Sequence, residues 1–328
     1  MSRNKRHKYI ILLTVSLIII TNIAACKRDI TDDKCMQWAI RNNGEKIYGQ
    51  KGRNGVDIGL PDDSALEMDN ENNIICIVDS KIDISNPLIK ELLCNDLEEM
   101  SGYTGISHGT YVTGIICSNA KEDEYVSMLK NARIYYIEIA SSKPDIDKLI
   151  EDLQKAEAFG AKVVNCSFVM NTYNEALFNF IKGSSMLFVC AVGNNNKDEI
   201  LYPALYDLNN VISVVGVNNM GFCGMHSNYS ENADIAAPGE NILCITNEAG
   251  TYETISGSSL ATAYVTGACA YIFNKTDYTA QEVKTVLLEA AISLDSLKGK
   301  VRNGKFMSIR NIIEYIQLYD NIKMSNNE

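Results

Sequence analysis

Histidine is scarce in this chain. Of 328 residues only three are histidine, and one of them, His7, lies in a basic N-terminal stretch. Chemistry that needs an imidazole base therefore has two candidates, His108 and His226. Zinc chemistry has little to build on, because none of the ten cysteines has the paired spacing of a zinc site. No internal repeat or low-complexity segment is present, which sets aside repeat architectures. Basic residues are also in deficit: 30 Lys and Arg face 41 Asp and Glu, a formal net charge of −11. An acidic surface repels nucleic acid and anionic lipid headgroups, so neither is expected as a partner. Hydrophobic residues make up 46%, enough to bury a real core, and the length suits one large α/β domain or two modest ones.

The long apolar stretch stands at the N-terminus. Arg3, Lys5, Arg6 and Lys8 precede an apolar run from Tyr9 to Ile20 that is too short to span a bilayer comfortably. The sequence Ile23-Ala24-Ala25-Cys26 follows. This arrangement resembles a bacterial lipobox, which implies a signal peptide over residues 1–25 and lipidation of Cys26. The polar residues 26–35 read as a short tether. The expected location is extracytoplasmic, on the outer face of the cell membrane, with the membrane met through the lipid anchor. The remaining cysteines are odd in number. Several sit inside apolar runs, as in Ile75-Cys76-Ile77 and Val189-Cys190-Ala191, and read as small buried hydrophobes rather than disulfide partners.

From Ile74 onward short apolar runs alternate with helical periods. Strands are expected at Ile74–Val78, Arg133–Ile139, Lys162–Cys166, Met186–Ala191, Val211–Val217 and Asn241–Ile245. Helices are expected at His108–Cys117, Ile146–Phe159, Tyr173–Lys182, Leu260–Asn274 and Ala280–Ala291. That alternation argues for an α/β fold with a mostly parallel central sheet flanked by helices. Thr279 and Glu282 are placed for a capping box. The stretch from Asp320 reads as a polar tail. In such sheets, reactive groups gather beyond the C-terminal ends of strands. That rule draws attention to Asp79, to Asn165 and Ser167, and to Asn194.

Hydrolysing an amide at neutral pH needs an activated nucleophile, a base and a site for the developing oxyanion. His108 opens a helix in Ser107-His108-Gly109-Thr110-Tyr111-Val112-Thr113-Gly114, whereas His226 lies in a polar loop and reads as a surface residue. Ser256-Gly257-Ser258-Ser259 runs into an apolar helix, where free N–H groups and the helix dipole favour a developing negative charge. On these grounds Ser258 and Ser259 are equal candidates for the nucleophile.

Together these segments resemble the subtilisin-like serine proteases. Ile77-Val78-Asp79-Ser80 is similar to that family's aspartate motif, His108-Gly109-Thr110 to its histidine motif, and Gly257-Ser258-Ser259-Leu260-Ala261-Thr262 to its serine motif. Val192-Gly193-Asn194 is similar to the segment with the oxyanion asparagine, and Ala236-Ala237-Pro238-Gly239 to a further family turn. The order Asp, His, Ser is that of subtilisin. The resemblance implies a three-layer subtilisin-like domain over residues 36–318, with a polar tail at 319–328. It further implies a catalytic triad of Asp79, His108 and Ser259, and an oxyanion donor at Asn194.

An extended peptide or protein substrate would then pair with Ser167, Phe168 and Val169, with Gly193 in the wall of a specificity pocket. Where the family has glycines this chain has Val169 and Met170, and Leu201 precedes Tyr202-Pro203. These suggest a restricted pocket and a narrow substrate range. Lys81 stands where the family has glycine, and would strain a turn that needed positive φ. Gln37-Trp38 to Gly44 resembles the start of a mature catalytic domain, so folding without a propeptide is expected. The stretch Ser118 to Val126 lacks the family's calcium-loop pattern, and its acidic run Lys121-Glu122-Asp123-Glu124 reads as a solvated turn. No cofactor and no metal are expected, and a monomer is. The leading expectation is a serine endopeptidase, with processing of an exported peptide such as a lantibiotic leader as one role. The alternative is a catalytically impaired binding protein on the same fold.

Overall fold

A computed structural model describes residues 37–68, 74–97, 107–139, 144–248 and 250–325. The signal peptide, Cys26 and the tether to residue 35 lie outside the described residues. The centre is an eight-stranded sheet. Its members are β1 (Ile74–Asp79), β2 (Arg133–Glu138), β3 (Ala161–Cys166), β4 (Leu187–Ala191), β5 (Val211–Val217), β6 (Ile235–Pro238), β7 (Ile292–Ser293) and β8 (Lys305–Phe306). Their spatial order is β7-β8-β6-β5-β4-β3-β1-β2. All neighbours are parallel except β7 against β8.

Each strand of the sheet centre is buried on both faces, and alternate residues feed two separate cores. In β1, Ile75 and Ile77 face one core, and Ile74, Cys76 and Val78 the other. The first core is covered by α1 (His108–Ile116), α4 (Ser258–Lys275), α5 (Ala280–Glu289) and α6 (Ile309–Ser325). The second is covered by α2 (Ile146–Phe159) and α3 (Glu175–Gly183). This three-layer arrangement is the expected one. The eight cysteines among the described residues are free, and six are buried in these cores. The capping box also forms, with Thr279 N donating to Glu282 Oε2 at 2.8 Å and Glu282 N to Thr279 Oγ1 at 3.4 Å.

The chain departs from expectation in three places. Ile242–Ile245 does not join the main sheet but pairs with Tyr252–Ile255 as a separate antiparallel hairpin. Its apolar residues pack under α1, which periodicity alone does not distinguish from a central strand. Ala236–Pro238, read as a turn, belongs to β6, because small residues fit between β5 and β8 where a Pro can close the strand end. Helix α6 continues to Ser325, so most of the stretch read as a tail is helical backbone.

β1 leads to β2 on one side and returns to β3 on the other, so the strand order reverses at β1. In open α/β sheets such a switch opens a crevice at the strand C-terminal ends. Asp79 ends β1 there and Ser167 follows β3. Among the described residues no helix is long and apolar enough to cross a membrane.

Away from the crevice, Asp234 ties the sheet to α5. Its carboxylate accepts from Ser213 N at 3.0 Å and Ser213 Oγ at 3.1 Å, and pairs with Lys284 at 3.3 Å and Arg302 at 3.2 Å. Both Asp234 and Lys284 are largely withdrawn from solvent. Removing one member of a buried pair strands the other charge, so Asp234→Ala should cost about 3–5 kcal/mol. Denaturant unfolding of the Ser259→Ala background, which avoids self-digestion, measures it. A loss below about 1 kcal/mol would contradict a buried ionic tie.

Candidate active site

Asp79 is 2% exposed at the end of β1. One carboxylate oxygen accepts from Ser80 N at 2.6 Å and Ser80 Oγ at 3.2 Å. His108 is the first residue of α1, and its Nδ1 lies 2.7 Å from Asp79 Oδ1 and 3.0 Å from Oδ2. With Nδ1–H donating to the carboxylate, Nε2 presents its lone pair and can take up a proton. Burial disfavours the imidazolium, but the Asp79 charge and hydrogen bond outweigh it, and the His108 pKa is raised.

The helix reaches the strand end because residue 109 is glycine. A Cβ there would overlap the Tyr136 hydroxyl and stand 2.9 Å from the Lys81 carbonyl. The same carbonyl accepts from Gly109 N at 3.0 Å. Thr110 Oγ1 accepts from Asp83 N at 2.9 Å, and Tyr136 Oη donates to the Ser80 carbonyl. The turn after Asp79 is thus stitched to the first turn of α1. Lys81 is not among the residues with positive φ, so the strain expected of a lysine there does not arise.

Helix α4 packs against α1 and buries almost its whole circumference. Its first turn carries both serines. Ser258 is fully buried, and its N and Oγ each donate to Asn194 Oδ1 at 2.8 Å. Ser259 is 5% exposed. Among the described residues no hydrogen bond joins Ser259 Oγ to His108; such bonds are commonly long before substrate is bound. Asn194 is exposed, and with its Oδ1 occupied by Ser258 the amide nitrogen is the end left to face outward. Ser258's hold on Asn194 was not foreseen, since nothing in local sequence relates residues this far apart.

Asn165, at the end of β3, is buried. It donates to Ser167 Oγ at 2.7 Å and accepts from Thr266 Oγ1 of α4 at 3.1 Å, which makes it a strut between strand and helix. Phe168 is 7% exposed and packs into the second core, so its side chain is withdrawn from the surface. Val169 and Met170 are half-buried. Met170 pairs with Tyr202 through backbone bonds of 2.7 and 3.0 Å. Gly193 adopts φ +110°, and a Cβ on it would meet Leu201 Cδ1 at 2.9 Å. Leu201 therefore lies directly against Gly193. His226 is exposed, as expected. In the acidic run, Glu122 pairs with Lys130 at 3.0 Å and accepts from Ala65 N at 2.9 Å. Among the described residues no cluster of acidic, histidine or cysteine side chains could hold a metal ion.

The Subtilase family model matches residues 70–310. An intracellular serine protease of Paenibacillus polymyxa is 28% identical over 256 residues, covering 70% of this chain and 77% of that protein. Among solved structures, the Patellamide maturation protease PatA superposes with a TM-score of 0.64 at 24% identity, covering 77% of this chain and 99% of that one. A cold adapted subtilisin-like serine proteinase gives 0.63 at 20% identity, covering 83% and 97%. At these identities the likeness to the solved structures is one of fold.

A histidine pKa raised by folding means the Asp79–His108 pair stabilises the native state fully below the unfolded imidazole value of about 6.5. That stabilisation fades as pH rises through the higher native value. NMR titration of the Ser259→Ala chain should place His108 above about 6.5, and Asp79→Asn should bring it down. A His108 midpoint unmoved by Asp79→Asn would contradict the coupling.

Proposed function

The chain belongs to the subtilase family and is a serine endopeptidase, and on that premise we propose that Asp79, His108 and Ser259 form its catalytic triad. The observation that carries this is the bond from His108 Nδ1 to the buried Asp79 carboxylate at the mouth of the strand-end crevice. His108 Nε2 takes the Ser259 proton as the hydroxyl attacks the scissile carbonyl, and returns it to the leaving amine. Water then hydrolyses the acyl-enzyme by the same route. Asp79 fixes the imidazole tautomer and stabilises the imidazolium. Ser259 is preferred to Ser258 because the Ser258 hydroxyl is engaged with Asn194. Asn194 Nδ2 and the backbone N–H of Ser259 hold the oxyanion. This chemistry needs no metal or cofactor.

The substrate is an extended peptide laid along Ser167, Phe168 and Val169, with Gly193 walling the pocket for the side chain before the scissile bond. Leu201 against Gly193 leaves room there for small side chains only. A narrow pocket suits a processing enzyme, such as one that removes a leader from an exported lantibiotic-type peptide. The Patellamide maturation protease is a processing enzyme by name and shares the fold; the role proposed for this chain rests on the pocket. The export signal at residues 1–25 and the lipid anchor at Cys26 would hold a monomeric enzyme on the outer face of the cell membrane.

Cleavage profiling of a peptide library tests this reading. The wild type should favour alanine or glycine before the scissile bond. Leu201→Gly should raise kcat/KM for leucine or phenylalanine there by about tenfold or more relative to alanine. A profile that Leu201→Gly leaves unchanged would remove Leu201 from the pocket.

A further inference from the structure

The segment from Val192 to Lys197 carries Asn194, yet it is a loop with an αL residue at Asn196 and a positive-φ glycine at Gly193. Loops of this kind do not aim a side chain by themselves. Backbone bonds from Leu201 N to the Val192 carbonyl and from Tyr229 N to the Lys197 carbonyl hold its ends, and one residue of another loop braces both sides of Asn194. Asn228 is fully buried. Its Oδ1 accepts from Asn195 N at 2.8 Å and from Lys197 N at 3.2 Å. Its Nδ2 donates to the Val192 carbonyl at 3.3 Å, and its backbone N donates to the Gly193 carbonyl at 2.7 Å. Two carbonyls on one side of Asn194 and two N–H groups on the other are therefore satisfied by one asparagine.

We propose that Asn228 is a positioning residue for the oxyanion donor, holding the backbone on both sides of Asn194 so that its amide is aimed without rearrangement during catalysis. The inference rests on the reading of Asn194 as that donor. The side-chain chemistry is specific. A primary amide offers an acceptor and a donor on one planar head, and this site uses both. The brace is itself anchored: Ser227 Oγ donates to the Asn228 carbonyl at 2.8 Å and accepts from Gly216 N of β5 at 2.9 Å. The loop is thus referred back to the central sheet. From the other side, Ser258 fixes the rotation of the Asn194 amide through its Oδ1. Asn228 sets where the amide stands, and Ser258 sets which end points outward. Gly193 is required between Asn228 and Leu201, because a Cβ there would stand 2.7 Å from Asn228 Nδ2 and 2.9 Å from Leu201 Cδ1.

The two asparagines can be separated by a double-mutant cycle on peptide hydrolysis with the full chain. Asn194→Ala should lower kcat about 10²–10³-fold with little change in KM. Asn228→Ala should lower kcat about 10–10²-fold, the effect of a catalytic group displaced by a fraction of an ångström or more, again with KM within about twofold. In the Asn194→Ala background, Asn228→Ala should cost less than about twofold, because no amide is left to aim. Losses that multiply would overturn the brace while leaving the role of Asn194 standing. An unchanged kcat in Asn194→Ala would overturn the reading of Asn194 and the brace with it. If Asn228→Ala does not fold, amide hydrogen exchange in the Ser259→Ala chain decides. Protection of the Asn195 and Lys197 amides comparable to that of β5 is expected, and exchange at the rate of an open loop would overturn the proposal.

Discussion

The site depends on how closely α1 can approach the end of β1. An Asp at a strand end and a His at a helix start are common enough features. They become a hydrogen-bonded pair here because Gly109 lets the helix backbone settle onto the Lys81 carbonyl and the Tyr136 hydroxyl. Any side chain at 109 would push the first turn of α1 away, and His108 with it. The contacts that follow, Asp83 to Thr110 and Tyr136 to Ser80, hold a position that the missing Cβ makes reachable. Helix α4 then packs on α1, and its Ser258 reaches Asn194 just beyond the end of β4.

Much of this was legible in the sequence. The unbroken apolar run Ile74–Val78 and the 3.6 period of Ile146–Phe159 point to the layers, because the first reflects a strand buried on both faces and the second a helix buried on one. Asp79 and His108 stood out through their places at the ends of elements and through the scarcity of histidine. The serine was not settled by local pattern. Ser258 and Ser259 share one helix turn, and they differ in a contact with Asn194 that spans 64 residues. Asn228 was illegible for the same reason. It sits in a polar stretch that reads as surface, where His226 is indeed exposed, while Ser227 and Asn228 turn inward to satisfy backbone groups. Polar residues that serve another loop's backbone leave no periodic signal.

The departures from the family pattern divide by physical effect. Lys81 costs no strain, since its backbone takes an ordinary φ and its carbonyl receives the α1 amide. Leu201 lies close on Gly193, which has no side chain to hold it off. In the proposed reading, the catalytic geometry and the breadth of the pocket are set by different residues. One can be conventional while the other is specialised.

In the proposed chemistry Ser259, served by His108, is the nucleophile. Reaction of the full chain with a fluorophosphonate, followed by peptide mass mapping, tests it most directly. One phosphonyl group on Ser259 is expected, formed in the wild type and in Ser258→Ala, and lost in Ser259→Ala and His108→Ala. Label on Ser258, or no label on a folded wild-type chain, would contradict it.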